Sequence, residues 1–492
     1  LMETKAAILA AKENSDLQVM CTMTFEDNKR TFTGCSVSAM CLTVQGLGVD
    51  ALGVNCSLGP KELIPIVEEI SKWTTVPIVV KANAGLPDPV TNTYNVLPDE
   101  FADTCKEMVK YGAKVLGGCC GTTPAYVAKL KEMVATVNAS VVKKKPRQLA
   151  VCTPLKTVVV DQPRIVGERI NPTGKKRFKQ ALRDNDMNYI LSQAIEQIDA
   201  GADILDVNVG SPDIDEKEMM LKAIEEVTLT TSLPLCIDSS HVDIIEAALR
   251  HYPGRALINS ISLEKEKFDK LLPIAKKYGA MFILLPLSDE GLPKDMDEKK
   301  EIIHKIMDRA LELGMYKEDI VVDGLVATVG ANKRAAIETI ETIRYCKEEL
   351  GLATSAGLSN ISFGLPYRPA VNSNFYTMAM QNGLSAGIVN PSSEDMMRSY
   401  YSYCALMGYD ENFETYIGKY GNRTAEATAQ STSQSAEITL SSAIEKGLKE
   451  EAHLITARMI GEGQKPLDII NQELIPALDK VGKGFEKGTV FL

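Results

Sequence analysis

Between residues 159 and 412, short apolar runs alternate with amphipathic helical stretches, and this alternation constrains the fold more than any other feature. Strands that alternate with helices pair in parallel, because each connection crosses back over the sheet. Eight such units in about 250 residues are the size of one closed TIM (β/α)8 barrel. The eight predicted strands are Arg164–Glu168, Asp203–Asn208, Pro234–Asp238, Arg255–Asn259, Met281–Leu285, Asp319–Asp323, Gly357–Ser362 and Ser385–Val389.

Residues 1–140 carry four more strand–helix units. The predicted strands are Leu17–Phe25, Ala51–Cys56, Val76–Lys81 and Lys114–Gly118, and the helical stretches that follow them are Ser36–Leu47, Pro60–Trp73, Pro98–Tyr111 and Pro124–Val137. Proline opens three of these stretches, where its missing N–H costs nothing in the first helical turn. A barrel closes only with eight units. Residues 1–140 are therefore predicted to form half an α/β barrel with two unpaired strand edges.

The remaining segments have different patterns. Residues 141–158 combine a basic run and a proline with no clear period, and residues 421–437 are rich in Ser, Thr, Ala and Gln, so both are predicted to be linkers. Residues 438–492 have apolar residues at helical spacing, which predicts an incomplete α-helical segment. Because the chain begins at Leu1 instead of Met, we expect it to be part of a longer protein.

Composition narrows the class of protein. The 492 residues include 54 Lys and Arg against 65 Asp and Glu, a net charge of −11, which argues against nucleic acid as a partner. The sequence contains no run of about 18 consecutive apolar residues, so no membrane span is predicted. The 11 cysteines follow no disulfide pattern and no signal peptide is visible, so a reducing cytoplasm is expected.

Three of the cysteines directly follow predicted strands. Cys56 ends one strand, and Cys119 and Cys120 lie in the run Gly117–Pro124 after another. Residues just after parallel strands share one rim of a barrel, so the three thiols can converge there. Free cysteines are usually small core residues, and we interpret the other eight in this way. Three thiolates with an open fourth position are typical of a catalytic zinc site, where a substrate thiol would lose its proton and become nucleophilic.

The motifs Gly53-Val54-Asn55-Cys56-Ser57 and Gly118-Cys119-Cys120-Gly121-Thr122-Thr123-Pro124 closely resemble the zinc-binding homocysteine S-methyltransferase family. Residues 1–140 correspond to the second half of that family's barrel. The resemblance implies that Cys56, Cys119 and Cys120 hold zinc, and that the zinc activates homocysteine.

Polar side chains stand at the strand ends of the second barrel, where they form a ring. They are Glu168, Asn171, Asp206, Asn208, Asp238, Asn259, Asp323 and Asn360, the last of which is placed within the seventh strand. A single carboxylate or amide there can be a helix N-cap. A ring of them suits a flat heterocycle instead, because carboxylates accept hydrogen bonds from ring N–H groups and amides both donate and accept.

Residues 159–410 resemble the pterin-binding methyltransferase family, which handles methyltetrahydrofolate. The matching motifs are Gly167–Gly174, Asp206–Gly210, Ile237–Ser240, Ile258–Ser260 and Asn360–Arg368. The resemblance implies that Asp238, Asn259 and Asp323 hold the pterin ring and that Asn360 acts catalytically by helping to protonate the methyl-bearing nitrogen. The rest of the implied folate site is Asp206, Asn208, Ser359, Arg368 and Ile388. No strong acid is evident at Asn360, so we expect a hydrogen-bond network there.

The segment after the second barrel strand bears on a related pterin enzyme. Dihydropteroate synthase shares this fold, but its Ser-x-Arg-Pro-Gly loop is absent after the second strand, where the chain reads Asn208–Pro212. This disfavours a dihydropteroate synthase.

The C-terminal helices resemble the helical cap before a cobalamin-binding domain, and the order of segments resembles the cobalamin-dependent methionine synthase family. This implies methyl transfer from 5-methyltetrahydrofolate through cobalamin to zinc-bound homocysteine, with a corrinoid domain or protein as partner. Two alternatives stay open. One is a methyltetrahydrofolate:corrinoid-protein methyltransferase whose cysteine segment is structural, and the other is a non-catalytic scaffold that docks a corrinoid protein.

Overall fold

The computed structural model describes residues 1–91, 93–137, 147–421, 439–445 and 449–486. The chain divides into two units, Leu1–Phe413 and Glu414–Leu492. Both regions in which strands and helices alternate lie in the first unit.

The N-terminal region forms a four-stranded parallel sheet in the order β1-β2-β3-β4, as predicted. Its elements are α1 Met2–Asn14, β1 Met20–Met23, α2 Val37–Gly46, β2 Ala51–Asn55, α3 Pro60–Trp73, β3 Ile78–Ala82, α4 Pro98–Met108, β4 Ala113–Gly118 and α5 Pro124–Val134. Side chains at the two outer strands are exposed, with Met20 on β1 64% and Val115 on β4 42% accessible. Helix α1 was not anticipated from the sequence pattern.

An antiparallel hairpin lies where the first linker was predicted. It consists of β5 Ala150–Cys152 and β6 Thr157–Val159. Its Val151 and Val158 are buried in the hydrophobic core of the barrel that follows. The strands have only three residues each, too short for a period to show in the sequence, and their burial against the barrel is what stabilises them. Residues 138–146 lie outside the described part of the chain.

Eight parallel strands close into a barrel, which confirms the predicted TIM-type fold. The strands are β7 Arg164–Ile170, β8 Ile204–Val207, β9 Leu235–Asp238, β10 Leu257–Ile261, β11 Met281–Leu284, β12 Ile320–Asp323, β13 Ala353–Gly357 and β14 Ala386–Val389. The helices are α6 Lys176–Arg183, α7 Met187–Ala200, α8 Glu216–Thr230, α9 Val242–His251, α10 Lys265–Tyr278, α11 Met296–Glu312, α12 Ala335–Glu348, α13 Arg368–Gln381 and α14 Glu394–Leu406. Closure occurs between β14 and β7, where Gly387 is in register with Ile165.

Several of the barrel helices begin at an aspartate. The side chains of Asp186, Asp215 and Asp295 accept hydrogen bonds from the first-turn N–H groups of α7, α8 and α11. Such caps satisfy backbone donors that have no partner within the helix. These three aspartates therefore determine where α7, α8 and α11 begin.

The seventh barrel strand differs from its prediction. The predicted strand was Gly357–Ser362, but the strand is β13, Ala353–Gly357, and Leu358–Ser362 form a 3₁₀ helix. Ala353 to Ala356 are small residues, of which Thr354 alone favours strands, yet all are at most 3% exposed between β12 and β14. Tertiary pairing therefore overrides local preference, and Asn360 lies on the loop beyond the strand.

The N-terminal region packs directly on the barrel within the first unit. Lys5 of α1 is 2% exposed, and its ammonium group donates to the carbonyls of Leu249 and Tyr252, the latter at 2.8 Å, at the C-terminal end of α9. A cation is favourable at that negative end of a helix. Burial lowers the pKa of Lys5 to about 7. Glu13 of α1 also forms a bidentate ion pair with Arg250, in which Nη1 and Nη2 of the arginine donate to the two carboxylate oxygens at 2.7 and 3.0 Å.

We expect Asp319→Ala to destabilise the first unit by about 3–5 kcal/mol, the usual cost of leaving one charge of a buried pair alone. Arg255, 1% exposed, forms an ion pair with Asp319, and the two residues lie just before β10 and β12 at the N-terminal end of the barrel strands. Asp161→Ala is the control, because its pair with Arg164 is solvent-accessible and is expected to contribute less than about 1 kcal/mol. Urea unfolding measures both variants. Equal losses of unfolding free energy would contradict this account of the pair.

The second unit is helical in its described residues. Its helices are α15 Leu440–Glu445, α16 Lys449–Gly461, α17 Pro466–Ile469 and α18 Ile475–Glu486, with a π-helical turn at Ile470–Leu474 between the last two. Pro466 lies in the first turn of α17, where its missing N–H costs no hydrogen bond. The second predicted linker lies almost wholly outside the described residues. None of the helices in the described ranges has the length and apolar character needed to span a membrane.

Candidate functional sites

The three predicted metal ligands meet at the C-terminal rim of the first sheet. The Sγ atoms of Cys56 and Cys120 are 3.4 Å apart, and those of Cys56, Cys119 and Cys120 all lie within 4.8 Å of one another. A tetrahedral zinc ion with Zn–S bonds of about 2.3 Å holds its sulfurs about 3.8 Å apart. The thiols are therefore spaced for one ion, and the exposure of Cys120 leaves the cluster open to solvent.

Strand β3 and the residue after it hold the cluster through the backbone. The N–H of Cys56 donates to Lys81 O at 3.0 Å, and that of Cys119 donates to Ala82 O at 2.7 Å. The N–H of Cys120 donates to Asn83 Oδ1 at 3.0 Å. Cys56 has a φ of 62°, in the left-handed region that non-glycine residues rarely adopt. This unusual turn directly after β2 is a constraint of the kind found at functional sites.

The thiols differ in acidity. Burial raises the pKa of Cys56, but hydrogen bonds involving Cys120 and the Ser57 backbone outweigh that effect and lower the pKa overall. Burial and the neighbouring Cys56 raise the pKa of Cys119 to about 11. Within the cluster Cys56 therefore ionises more readily than a free cysteine and Cys119 less readily.

Tyr94 is part of this cluster and was missed in the sequence analysis. Burial, and then a hydrogen bond with Cys120 and its charge, raise the pKa of Tyr94. Its ring covers Gly121, where an added Cβ would lie 2.3 Å from the ring. Gly121 also has a φ of +78°, so glycine is required there on both counts. Only the glycine in the Cys-Cys-Gly motif signals this contact in the sequence.

The barrel mouth brings Asp206, Asn208, Asp238 and Asn259 together. Asp238 and Asn259 are in register on neighbouring strands, and Asn259 Nδ2 donates to Asp206 Oδ1 at 3.1 Å. Burial, followed by the charge of Asp238, raises the pKa of Asp206 well above its usual value. Burial also raises the pKa of Asp238, partly offset by a hydrogen bond from Asn208. A cavity of about 750 Å³ opens here, lined by Asn208, Asp238 and Asn259 but not by the other predicted folate residues.

Asp323 ends β12 in a separate polar group. Its carboxylate accepts from Leu325 N at 2.7 Å and from Ser355 Oγ at 3.3 Å. Burial raises the pKa of Asp323 to about 6 despite these two donors. At neutral pH the group is therefore largely ionised, with a free energy cost that a ligand donor can offset.

A third group joins the end of β13 to the end of β7. Ser359 Oγ donates to Glu168 Oε1 at 3.1 Å, and Arg368 donates to Ser359 O at 2.7 Å and to Ser362 Oγ at 3.0 Å. Asn360 is exposed at the rim. Ile388 of β14 packs against the barrel core. The predicted folate residues thus lie at or near one end of the barrel in three groups. Glu168, which is not in the predicted folate set, lies with the third group through its hydrogen bond to Ser359.

Comparison with known proteins finds similarity to a different family in each of three parts of the chain. The profile of the homocysteine S-methyltransferase family matches residues 1–134, that of the pterin binding enzymes matches residues 167–390, and that of the B12 binding domain matches residues 438–492. Methionine synthase from Mycobacterium tuberculosis is 30% identical over 415 residues, which cover 80% of this chain and 35% of that protein. Over most of its length the chain is similar to methionine synthase.

The same relationship holds for a second protein. Methionine synthase from Mycobacterium leprae is 30% identical over 420 residues, again covering 80% of this chain and 35% of that protein. The chain thus spans about a third of the length of the methionine synthases it matches. Among solved structures, a dihydropteroate synthase from Xanthomonas albilineans aligns at 17% identity with a TM-score of 0.43, covering 53% of this chain and 98% of that one.

Proposed function

We propose that this chain carries two protein sites of a cobalamin-dependent methionine synthase reaction. A methyl group passes from 5-methyltetrahydrofolate to cobalamin and from there to homocysteine, giving methionine and tetrahydrofolate. The observation that carries the proposal is the presence in one unit of a three-thiol cluster at the end of a parallel sheet and a polar mouth at the end of a barrel.

The thiol cluster supports the homocysteine half of the proposal. Cys56, Cys119 and Cys120 supply three ligands for zinc and leave a fourth position open. Bound zinc would lower the pKa of an incoming thiol, so that homocysteine is present as the nucleophilic thiolate at neutral pH. The chain's own residues hold the ligands by backbone hydrogen bonds from β3 and keep Cys120 accessible to that substrate.

The barrel mouth supports the folate half. The pyrimidine edge of a pterin presents ring N–H and NH₂ donors, and Asp238, Asn259 and Asp323 offer the matching acceptors at strand ends. Ser359 and Arg368, which are hydrogen-bonded to each other after β13, and Ile388 of β14 are proposed to complete the site. The cofactor cobalamin supplies the methyl-accepting metal centre and is proposed to arrive on a corrinoid domain.

The second unit fits contact with such a corrinoid group. Its described helices expose apolar side chains that a flat macrocycle or a partner domain can cover. These are Leu454, Ile460, Leu467, Ile470, Ile475 and Leu478, each at least 44% exposed. The match to the B12 binding domain over residues 438–492 supports the same assignment.

Equilibrium titration with 5-methyltetrahydrofolate tests the proposal. Wild type is expected to bind one equivalent, and Asp238→Asn is expected to raise Kd about 10- to 100-fold, since a hydrogen bond to a charged group contributes about 1.5–3 kcal/mol. Asp213→Asn is the matched control, because that carboxylate pairs with Arg183 in an exposed ion pair. The failure of wild type to bind would favour the corrinoid-docking scaffold, and equal Kd values for wild type and Asp238→Asn would exclude Asp238 as a ligand residue.

The affinity for the folate should also depend on pH through Asp323. Because the ionised carboxylate accepts the pterin donors and its pKa is about 6, Kd should rise towards tenfold per pH unit below pH 6 and level off above pH 7. Asp206 and Asp238 also have raised pKa values, so the comparison is made with Asp323→Asn. That variant is expected to bind more weakly and to lose part of the slope between pH 5 and 7. Identical slopes would contradict this role.

A further inference from the structure

The proposed reaction places a chemical demand on the folate nitrogen N5. A tertiary amine is a poor leaving group, so N5 must gain a proton before or while its methyl group departs. The amide of Asn360 donates hydrogen bonds but has no proton to release near neutral pH. The site therefore needs a general acid, a group that holds a proton and releases it during the transfer, here called the proton store. This inference rests on the proposed function.

Glu168 is placed for that task. It lies in β7 close to its C-terminal end, on the strand that closes the barrel against β14, and its Oε1 accepts the hydroxyl of Ser359 at 3.1 Å. Ser359 directly precedes Asn360 on the 3₁₀ helix after β13. Arg368 fixes Ser359 in turn by donating to its carbonyl oxygen at 2.7 Å. A carboxyl group, a hydroxyl group and the predicted catalytic amide are thus adjacent at one part of the rim.

We propose that Glu168 is the proton store of the pterin site and delivers its proton to N5 through the hydroxyl of Ser359. When Glu168 is protonated, its O–H donates to Ser359 Oγ, and the Ser359 hydroxyl is released to point towards the ligand. The Glu168 proton moves to Ser359 Oγ while the Ser359 proton moves to N5. The N5–methyl bond breaks with its electron pair left on nitrogen, and the reduced corrinoid supplies the pair for the new bond.

The surroundings of Glu168 suit a group that alternates between two charge states. Burial raises its pKa, so the protonated form persists closer to neutral pH than in an exposed glutamate. Lys175, Arg368 and Arg169 face the carboxylate and favour the ionised form left after proton transfer. Asp206 faces it from β8 and opposes ionisation. Lys175 is held in place by hydrogen bonds to the carbonyls of Glu168 at 3.2 Å and Arg169 at 3.0 Å.

The test compares pH profiles of methyl transfer from 5-methyltetrahydrofolate to cob(I)alamin, together with folate Kd values. Wild type is expected to slow as pH rises above the pKa of Glu168. Glu168→Gln should keep Kd within about threefold but lose about 10²-fold in rate, the low end for general acid catalysis, and lose that pH dependence. Ser359→Ala should reproduce the loss while leaving the carboxyl in place. Glu312→Gln, an exposed glutamate at the far end of α11, is the matched control.

Two outcomes overturn the inference. If Glu168→Gln binds the folate and keeps the wild-type rate and pH profile, Glu168 is not the proton store, and the proposed function stands. If wild type binds no folate, the proposed function fails and the inference fails with it. The Kd measurement separates these two results.

Discussion

Cys119→Ser is expected to reduce the zinc content of the chain from one equivalent to less than about a tenth after dialysis against a chelator. Structural zinc sites in small domains bind with apparent free energies of about 10–16 kcal/mol, so losing one of three thiolates removes several kcal/mol. Within the described part of the chain, the group of candidate ligands here consists of the three cysteines alone, so it offers no fourth side chain to replace Cys119. Metal analysis of the purified protein gives the stoichiometry.

Cys21→Ser is the control for this experiment. Cys21 lies on β1 of the same sheet, but its thiol is outside the cluster. It should keep one equivalent of zinc. Full retention of zinc by Cys119→Ser would contradict the metal site. A wild type without zinc would favour the alternative in which the cysteine segment is structural.

Asn360→Ala is expected to slow methyl transfer about 10²-fold, comparable with removing one preorganised donor from a developing charge. Asn360 is exposed at the barrel rim and is not one of the acceptors proposed to hold the ring, so folate Kd should change by less than about fivefold. The loss therefore falls on the rate with bound folate and not on the affinity.

The rate and the affinity are measured separately to make this distinction. Initial rates of cob(I)alamin methylation at saturating folate give the first, and equilibrium dialysis with labelled 5-methyltetrahydrofolate gives the second. Asn374→Ala is a control on α13, where the Asn374 amide bonds only the local carbonyl of Ala370 among the contacts described. A variant at Asn360 that loses affinity but keeps its rate would show that this residue binds the folate without taking part in the transfer.

The barrel was predictable because its pattern is strong and repeated. The same kind of pattern holds in the N-terminal four-stranded region, where the helix Pro60–Trp73 has a start signal and a clear apolar face and its predicted bounds match the structure. The seventh strand was misplaced because Ala353–Gly357 is made of small residues whose strand conformation depends on pairing with both neighbours. The hairpin β5–β6 was missed for the same kind of reason, since its stability comes from burial in the barrel.

The candidate sites show a similar limit. Cys56, Cys119 and Cys120 were found because each follows a strand, and parallel topology brings strand ends together. Tyr94 comes from a loop, and only the folded chain shows that its ring lies on Gly121. Glu168 was seen as a polar strand-end residue, but its bond to Ser359 joins residues 191 positions apart, which no local pattern reveals.

The most direct test of the central claim is methyl transfer by the wild-type chain itself. The chain is mixed with 5-methyltetrahydrofolate and cob(I)alamin under anaerobic conditions, and the visible spectrum is followed. The account predicts that methylcobalamin forms only when both the folate and the protein are present. It also predicts that Asp238→Asn forms methylcobalamin more slowly at subsaturating folate. A folded chain that binds the folate yet transfers no methyl group to cob(I)alamin, whether free or bound to a corrinoid protein, would contradict it.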